Sequence, residues 1–248
     1  MARMKFMNTE IDNLTMQETL QAIDQLIQTN KSAYVVTPNV DHIVQLETNK
    51  ELQAVYKNAS LILTDGKPLL WIANWYGTPI KEKISGSDLF PLLCKMAAEK
   101  GYKMFFLGAA EGVAARAAEN LMNRFKGLQV TGTYSPPFGF EEDTVEMDKI
   151  KSMIKASGAE ILIVGLGCPK QEKFMYHHCA ELGVPISFGL GASFDFEAGN
   201  IKRAPRWMAN HGLEWLFRIT QDPKRMAKRY LVDDRKIFGL AIKYRPNK

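Results

Sequence analysis

Cysteine is scarce in this chain: three residues in 248, Cys94, Cys168 and Cys179. An odd number with no metal-ligand spacing excludes a disulfide scaffold and a zinc-binding module, and it fits a reducing compartment. Histidine is hardly commoner, at four residues, and no His/Cys/Asp cluster in the sequence has the spacing of a metal site. Long apolar runs are missing, since nothing approaches the roughly 20 residues that cross a bilayer. The segment Met1 to Ile11 also lacks the apolar core of a signal peptide, so a cytoplasmic location is expected. There is no Gly-x-Ser-x-Gly elbow, which argues against an α/β-hydrolase. Repeats and low-complexity linkers are absent, and with 46% hydrophobic and 24% charged residues the composition is that of an ordinary globular protein.

What is present is an uneven spread of charge. The net charge is +5, yet residues 200–248 alone hold 13 Lys+Arg against 4 Asp+Glu, while residues 1–199 hold 19 against 23. A near-neutral body with a basic tail calls for an anionic partner at the tail: nucleic acid, anionic lipid or a phosphorylated substrate. No nucleic-acid reading motif occurs there, so a nucleic-acid partner is not expected.

Short apolar runs alternate with helical periods along the body. Met16, Leu20, Ile23 and Ile27 mark a helix, which Thr15 and Glu18 open at the spacing of a capping box. Tyr34–Val36, Leu61–Leu63, Met104–Leu107, Val130–Tyr134, Ile161–Val164 and Val184–Phe188 read as strands. Between them, helical patterns run through Ile43, Leu46 and Leu52, through Leu89 to Lys100, from Gly112 to Phe125, through Met147, Ile150 and Ile154, and from Gln171 to Leu182. Leu69 to Tyr76, with Trp71 and Trp75 one turn apart, reads as a buried helix. The alternation predicts an α/β fold, a three-layer Rossmann-like parallel sheet, over residues 1–199. Residues 200–248 are expected to form a basic amphipathic helical appendage.

In such a sheet, ligands bind at the carboxyl ends of the strands. Those ends carry Thr37 and Asn39, Asp65, the Gly108 turn, the turn from Gly167 through Lys170 to Gln171, and the glycine-rich turn from Gly191 to Asp195. The first glycine turn matches neither a dinucleotide fingerprint nor a Walker loop, but two such turns with polar and basic residues at the mouth favour a phosphate-bearing ligand. Asp65 is the only carboxylate directly at the end of an apolar strand; the alternatives are a catalytic acid or base and an ordinary turn residue. His42 lies beside these residues and reads as structural. Asp195-Phe196-Glu197 is only a faint Asp-x-Asp pattern, so no metal and no cofactor are expected.

Taken together, the blocks Thr37-Pro38-Asn39-Val40-Asp41, Thr64-Asp65-Gly66-Lys67-Pro68, Gly86-Ser87-Asp88-Leu89, Phe106-Leu107-Gly108, Gly165 to Glu172 and Gly191 to Met208 resemble the WecG/TagA/CpsF family of bacterial glycosyltransferases. Gly212 to Arg218 and Pro223-Lys224-Arg225 extend the resemblance into the tail, and the length is that of the TagA branch. The resemblance implies an inverting, metal-independent transfer of N-acetylmannosamine from its UDP sugar to GlcNAc-diphospho-undecaprenol, in wall teichoic acid synthesis at the inner face of the cell membrane. Another UDP sugar, such as UDP-ManNAcA or UDP-glucose, or an epimerase on the same scaffold, remains the alternative. It further implies that Asp65 is the general base, that Thr37 and Asn39 line the donor and acceptor pocket, and that Gln171 reaches the sugar. Arg218 and Arg225 are then the tail arginines that close over the site. Lys83 stands where many relatives carry arginine, and lysine cannot make the planar bidentate contact with a diphosphate. Gly108, Gly167, Lys170, Gly191, Asp195 and Arg203 complete the expected substrate-binding set. The tail is expected to meet an anionic membrane surface, and a homo-oligomer is left open.

Overall fold

A computed structural model describes residues 3–205, 207–208 and 211–246, with the backbone alone described at Arg225. The chain opens with a short antiparallel hairpin, β1 (Met4–Phe6) and β2 (Thr9–Ile11), which the sequence reading missed. Six further strands follow: β3 (Ala33–Val36), β4 (Leu61–Ile62), β5 (Lys103–Gly108), β6 (Gln129–Tyr134), β7 (Ile161–Gly165) and β8 (Ile186–Gly189). They form one sheet in the order β4-β3-β8-β7-β5-β6, and every neighbouring pair is parallel.

Strand residues alternate between two cores. Phe105, Leu107, Leu162 and Val164 pack on one face with Ile43, Leu52, Ile150 and Phe174. Met104, Phe106, Ile161 and Ile163 pack on the other with Ile23, Phe90, Ala117 and Phe194. Period-two side chains buried on both faces are what a parallel sheet between two helical layers requires. The expected three-layer α/β architecture is therefore present. On the second face Phe90, Phe106 and Phe194 meet with ring centroids 5.3 to 5.6 Å apart.

The helices are α1 (Met16–Thr29), α2 (Val40–Leu46), α3 (Lys50–Asn58), α4 (Lys67–Tyr76), α5 (Gly86–Lys100), α6 (Val113–Arg124), α7 (Thr144–Ser157), α8 (Lys170–Leu182) and α9 (Gly191–Glu197). Thr15 and Glu18 close the capping box of α1, as the spacing predicts. The pattern through Ile43 and Leu52 splits into α2 and α3, because Asn49 caps a fresh helix with its side chain on the Leu52 N–H. The second glycine-rich turn is mostly α9. Its glycines and Phe194 suit close packing on β7, where a side chain at Gly165 would meet the Phe194 ring at 2.5 Å.

The tail folds as α10 (Glu214–Gln221), α11 (Pro223–Lys228), a π-helical turn (Arg229–Asp233) and α12 (Lys236–Lys243). Pro223 and the π turn break what would be one long amphipathic helix. Ile237 and Ala241 are buried on the first core, and the Tyr76 hydroxyl donates to the Ala241 carbonyl at 2.6 Å. Gly212 lets the chain cross Trp71: its φ is +74°, and a Cβ there would stand 2.8 Å from the indole.

The expectation that Trp71 and Trp75 are buried is corrected. They are 55% and 46% exposed, while Leu69 and Ala73 take the core side of α4. A one-turn spacing places two residues on one face without saying which face it is.

Candidate active site

Asp65 lies three residues beyond the end of β4. Its N–H donates to the Pro38 carbonyl at 2.8 Å, which joins the ends of β3 and β4 and brings Asp65 near Asn39. Gly66, at φ +103°, then turns the chain into α4. No hydrogen bond reaches the Asp65 carboxylate among the described residues, but the charges of Lys83 and Arg218 act on it. Lys83 lies 3.3 Å from Asp88 and 4.0 Å from Glu214. Glu214 in turn holds Arg218 at 2.8 Å, and the Arg218 guanidinium lies 5.6 Å from the centre of the Phe196 ring. Arg203 bonds Asp88 and, at 3.2 Å, the Ser87 hydroxyl. Burial pushes Asp65 up to about 6, against the opposing pull of Lys83 and Arg218, and Glu214 and Asp88 add to the rise. A carboxylate of that strength is ionised at neutral pH yet basic enough to take a proton.

Asn39 caps α2 and faces the same cavity as Asp65. Its Oδ1 lies 3.0 Å from His42 Nδ1 and accepts from Arg229 Nη2 at 3.2 Å. Gln171 is buried, and its amide is engaged at both ends. Oε1 accepts from the Gly191 N–H at 3.2 Å and Nε2 donates to Glu172 Oε1 at 2.8 Å. Glu172 Oε1 also lies 3.3 Å from His42 Nε2. Arg229, His42 and Glu172 were not among the expected site residues. The Asn39-x-x-His42 spacing of a capping box was a signal for one contact; nothing local signals Arg229, 190 residues from Asn39.

The remaining expected residues are spread along the strand ends. Thr37 is buried after β3. Gly108, at φ +105°, allows the ends of β5 and β7 to touch, since a Cβ there would lie 2.5 Å from the Gly165 carbonyl oxygen. Gly167 turns at φ +78° ahead of α8. Lys170 points to the loop before α7, pairing with Glu141 at 2.7 Å and lying 5.0 Å from the Phe138 ring centre. Asp195 is within α9 and accepts from Asn200 at 3.3 Å. The Arg225 side chain lies outside the described residues.

Asp65, Lys83, Asn39, Arg218 and Arg229 open into a cavity of about 680 Å³. The same cavity carries an apolar groove, lined by Trp71, Ile72 and Trp75 of α4 and by Leu231, Phe238 and Ile242 of the tail. A smaller hollow beside Ala109, Gly112 and Ser135 opens at the ends of β5 and β6.

Glu197 pairs with Arg124 at 2.9 Å, and Asp195 accepts from Asn200. His42, Cys168 and Glu172, unconnected in sequence, do bring donor atoms within 4.8 Å of one another. The His42 nitrogens and Glu172 Oε1, however, already have protein partners.

Residues 4–248 match the model of the glycosyl transferase WecG/TagA/CpsF family. An N-acetylglucosaminyldiphosphoundecaprenol N-acetyl-beta-D-mannosaminyltransferase of Bacillus spizizenii is 32% identical over 223 residues, covering 90% of this chain and 83% of the relative. The protein of the same name from Bacillus subtilis is 29% identical over 203 residues, covering 82% of this chain and 75% of the relative. With a carboxylate at a strand end, cations facing it and a match over nearly its whole length, the chain belongs to the WecG/TagA/CpsF family of glycosyltransferases.

Proposed function

We propose that the protein transfers N-acetylmannosamine from UDP-N-acetylmannosamine to GlcNAc-diphospho-undecaprenol, with inversion at the sugar C1. The observation that carries this reading is one cavity lined both by Asp65 with Lys83, Arg218 and Arg229 and by an apolar groove between α4 and the tail. Those are the needs of an acceptor with a sugar, a diphosphate and a prenyl chain. The names of the two Bacillus relatives specify the same donor sugar and acceptor.

In this mechanism Asp65 takes the proton from the acceptor hydroxyl as its oxygen attacks C1 of the donor sugar. The C1–O bond to UDP breaks, and the electron pair leaves with the diphosphate. Lys83, Arg218 and Arg229 supply positive charge against the growing negative charge, and Arg225 is proposed to join them. Asn39 and Thr37 orient the sugars, while the Gly191 turn that Gln171 holds completes the donor side together with Gly108 and Gly167. Lys170, Asp195 and Arg203 are assigned to the rim of the substrate site. Residues 200–248 act as an appendage that closes the site and rests on the inner leaflet. Exposed Leu231, Phe238 and Ile242 beside Lys236 and Arg235 support that role. No helix among the described residues is long and apolar enough to cross a membrane.

The test is mass spectrometry of products after incubation with a panel of UDP sugars and a prenyl-diphospho-GlcNAc. The expected product adds one N-acetylhexosamine, from UDP-N-acetylmannosamine alone. Transfer from a different UDP sugar would redirect the donor assignment, and no transfer from any would refute the reading.

A further inference from the structure

The three cations assigned to the leaving diphosphate already face carboxylates. Lys83 faces Asp88 and Glu214, Arg218 faces Glu214, and Arg229 lies 3.6 Å from Asp41. Two further cations line the same cavity, Lys67 and Arg235, and neither has an ion-pair partner among the described residues. The proposed reaction also involves a second diphosphate, the one that stays in the acceptor between GlcNAc and the prenyl chain.

Lys67 and Arg235 hold equivalent places on the two helices that wall the groove. On α4, Lys67, Trp71 and Trp75 recur once per turn, and all three line the cavity. Arg235 stands just before α12 with helical backbone angles. Arg235, Phe238 and Ile242 then recur once per turn and line the cavity as well. Such spacings set three residues along one side of a helix. Each wall therefore starts with a cation and continues with apolar side chains.

The two walls also run in the same sense. At their C-terminal ends the Tyr76 hydroxyl donates to the Ala241 carbonyl, and the Arg245 guanidinium lies 4.5 Å from the centre of the Trp75 ring. At their N-terminal ends both reach the sugar site. Lys67 follows Asp65 after a single glycine. Asp234, the neighbour of Arg235, lies 3.9 Å from Arg229, which donates to Asn39. The groove therefore has a polarity: charge beside Asp65, then apolar surface for about 12 Å along α4 at the rise of a helix. Phe238 and Ile242 are 73% and 70% exposed, so this surface is open to an occupant.

We propose that Lys67 and Arg235 bind the diphosphate of the acceptor lipid, with its first isoprene units lying along Trp71, Trp75, Phe238 and Ile242; this rests on the transferase reading above. The acceptor is built in the same order as the groove: sugar, diphosphate, prenyl chain. Seated this way, its sugar meets Asp65. This diphosphate keeps its charge throughout the reaction, so its contacts act on acceptor binding and not on the chemical step.

Two experiments test this. The first needs no turnover, so it stands apart from the transferase reading, which would fail instead through absent transfer by the parent chain. Tryptophan fluorescence of the full chain is titrated, without vesicles, with farnesyl diphosphate, farnesol or inorganic pyrophosphate. Farnesyl diphosphate is expected to bind about tenfold or more tighter than either fragment, because joined groups reinforce each other. Lys67→Gln with Arg235→Gln is expected to weaken it about tenfold or more, the scale of lost charge-assisted hydrogen bonds. Equal affinity for farnesol and farnesyl diphosphate overturns the proposal. So does a double variant that keeps farnesyl diphosphate and loses only sedimentation with phosphatidylglycerol vesicles, which would assign the two cations to the bilayer.

The second follows turnover with a short-chain prenyl-diphospho-GlcNAc. In the double variant KM for this acceptor is expected to rise about tenfold or more, while KM for UDP-N-acetylmannosamine stays within about twofold. An unchanged acceptor KM overturns the proposal. An equal rise for donor and acceptor also overturns it, since the two cations would then serve the site as a whole and not the lipid diphosphate.

Discussion

Asp65 is the proposed general base, and its environment makes two linked demands. Asp65→Asn is expected to lower turnover by about 100-fold or more, the scale of a lost general base, with UDP-sugar binding largely kept. Turnover of the parent chain is expected to fall as pH drops through about 6, where the carboxylate takes its proton. Stability runs the other way. The folded-state value lies above the ordinary 3.8, so the folded chain binds this proton more tightly than the unfolded one. Lowering the pH through about 6 therefore adds stability at this site, and the strain is greatest at neutral pH. Asp65→Asn is expected to raise stability near pH 7 by at most about 3 kcal/mol, seen as a higher Tm, with the gap closing below about pH 4. Thermal melts of both proteins across pH check the sign. Lower stability of the variant at neutral pH would show that the carboxylate is not strained.

At the scale of elements, strands and most helices were legible because their signals are local. Thr15 and Glu18, Gly101 after α5 and Gly158 after α7 are visible within four residues, and all three mark helix ends in the fold. The hairpin was not legible, because three-residue strands carry too little periodicity. Its place depends on Asp12, whose carboxylate accepts from the Ile62 N–H 50 residues away. The outward face of α4 was misread for a related reason: Trp71 and Trp75 face the tail, and no pattern within α4 contains that information. The site shows the same division. Asp65 and Asn39 could be found from strand ends, whereas the join of His42 to Glu172 spans 130 residues. The tail was read from charge and apolar content, and its role can be tested as an element. Removing residues 200–248 is expected to abolish transfer while a folded α/β core remains by circular dichroism. Arg218→Glu with Arg225→Glu is expected to weaken sedimentation with anionic liposomes and turnover together. A truncated chain that transfers sugar at the normal rate would refute the closing role.

For the whole molecule, the proposed mechanism meets the charge on the leaving diphosphate with side chains from body and tail, so full activity is expected in excess EDTA. Strict dependence on added Mg²⁺ or Mn²⁺ would refute that account and turn attention to the acidic groups at the cavity. The crossing of the tail over Trp71 has a further consequence. One wall of the apolar groove belongs to α4 and the other to the π turn and α12, so the groove exists only while the tail is docked. An occupant touching both walls binds the docked form alone and must shift the docking equilibrium by mass action. At about 100 times its Kd it would favour docking by about 2.7 kcal/mol. A short-chain prenyl-diphospho-GlcNAc is thus expected to slow tryptic cleavage at the basic residues of α11 and the π turn, and to leave cleavage at Lys126 in the body unchanged. The acceptor would then act as a clasp that holds the tail against the body during turnover.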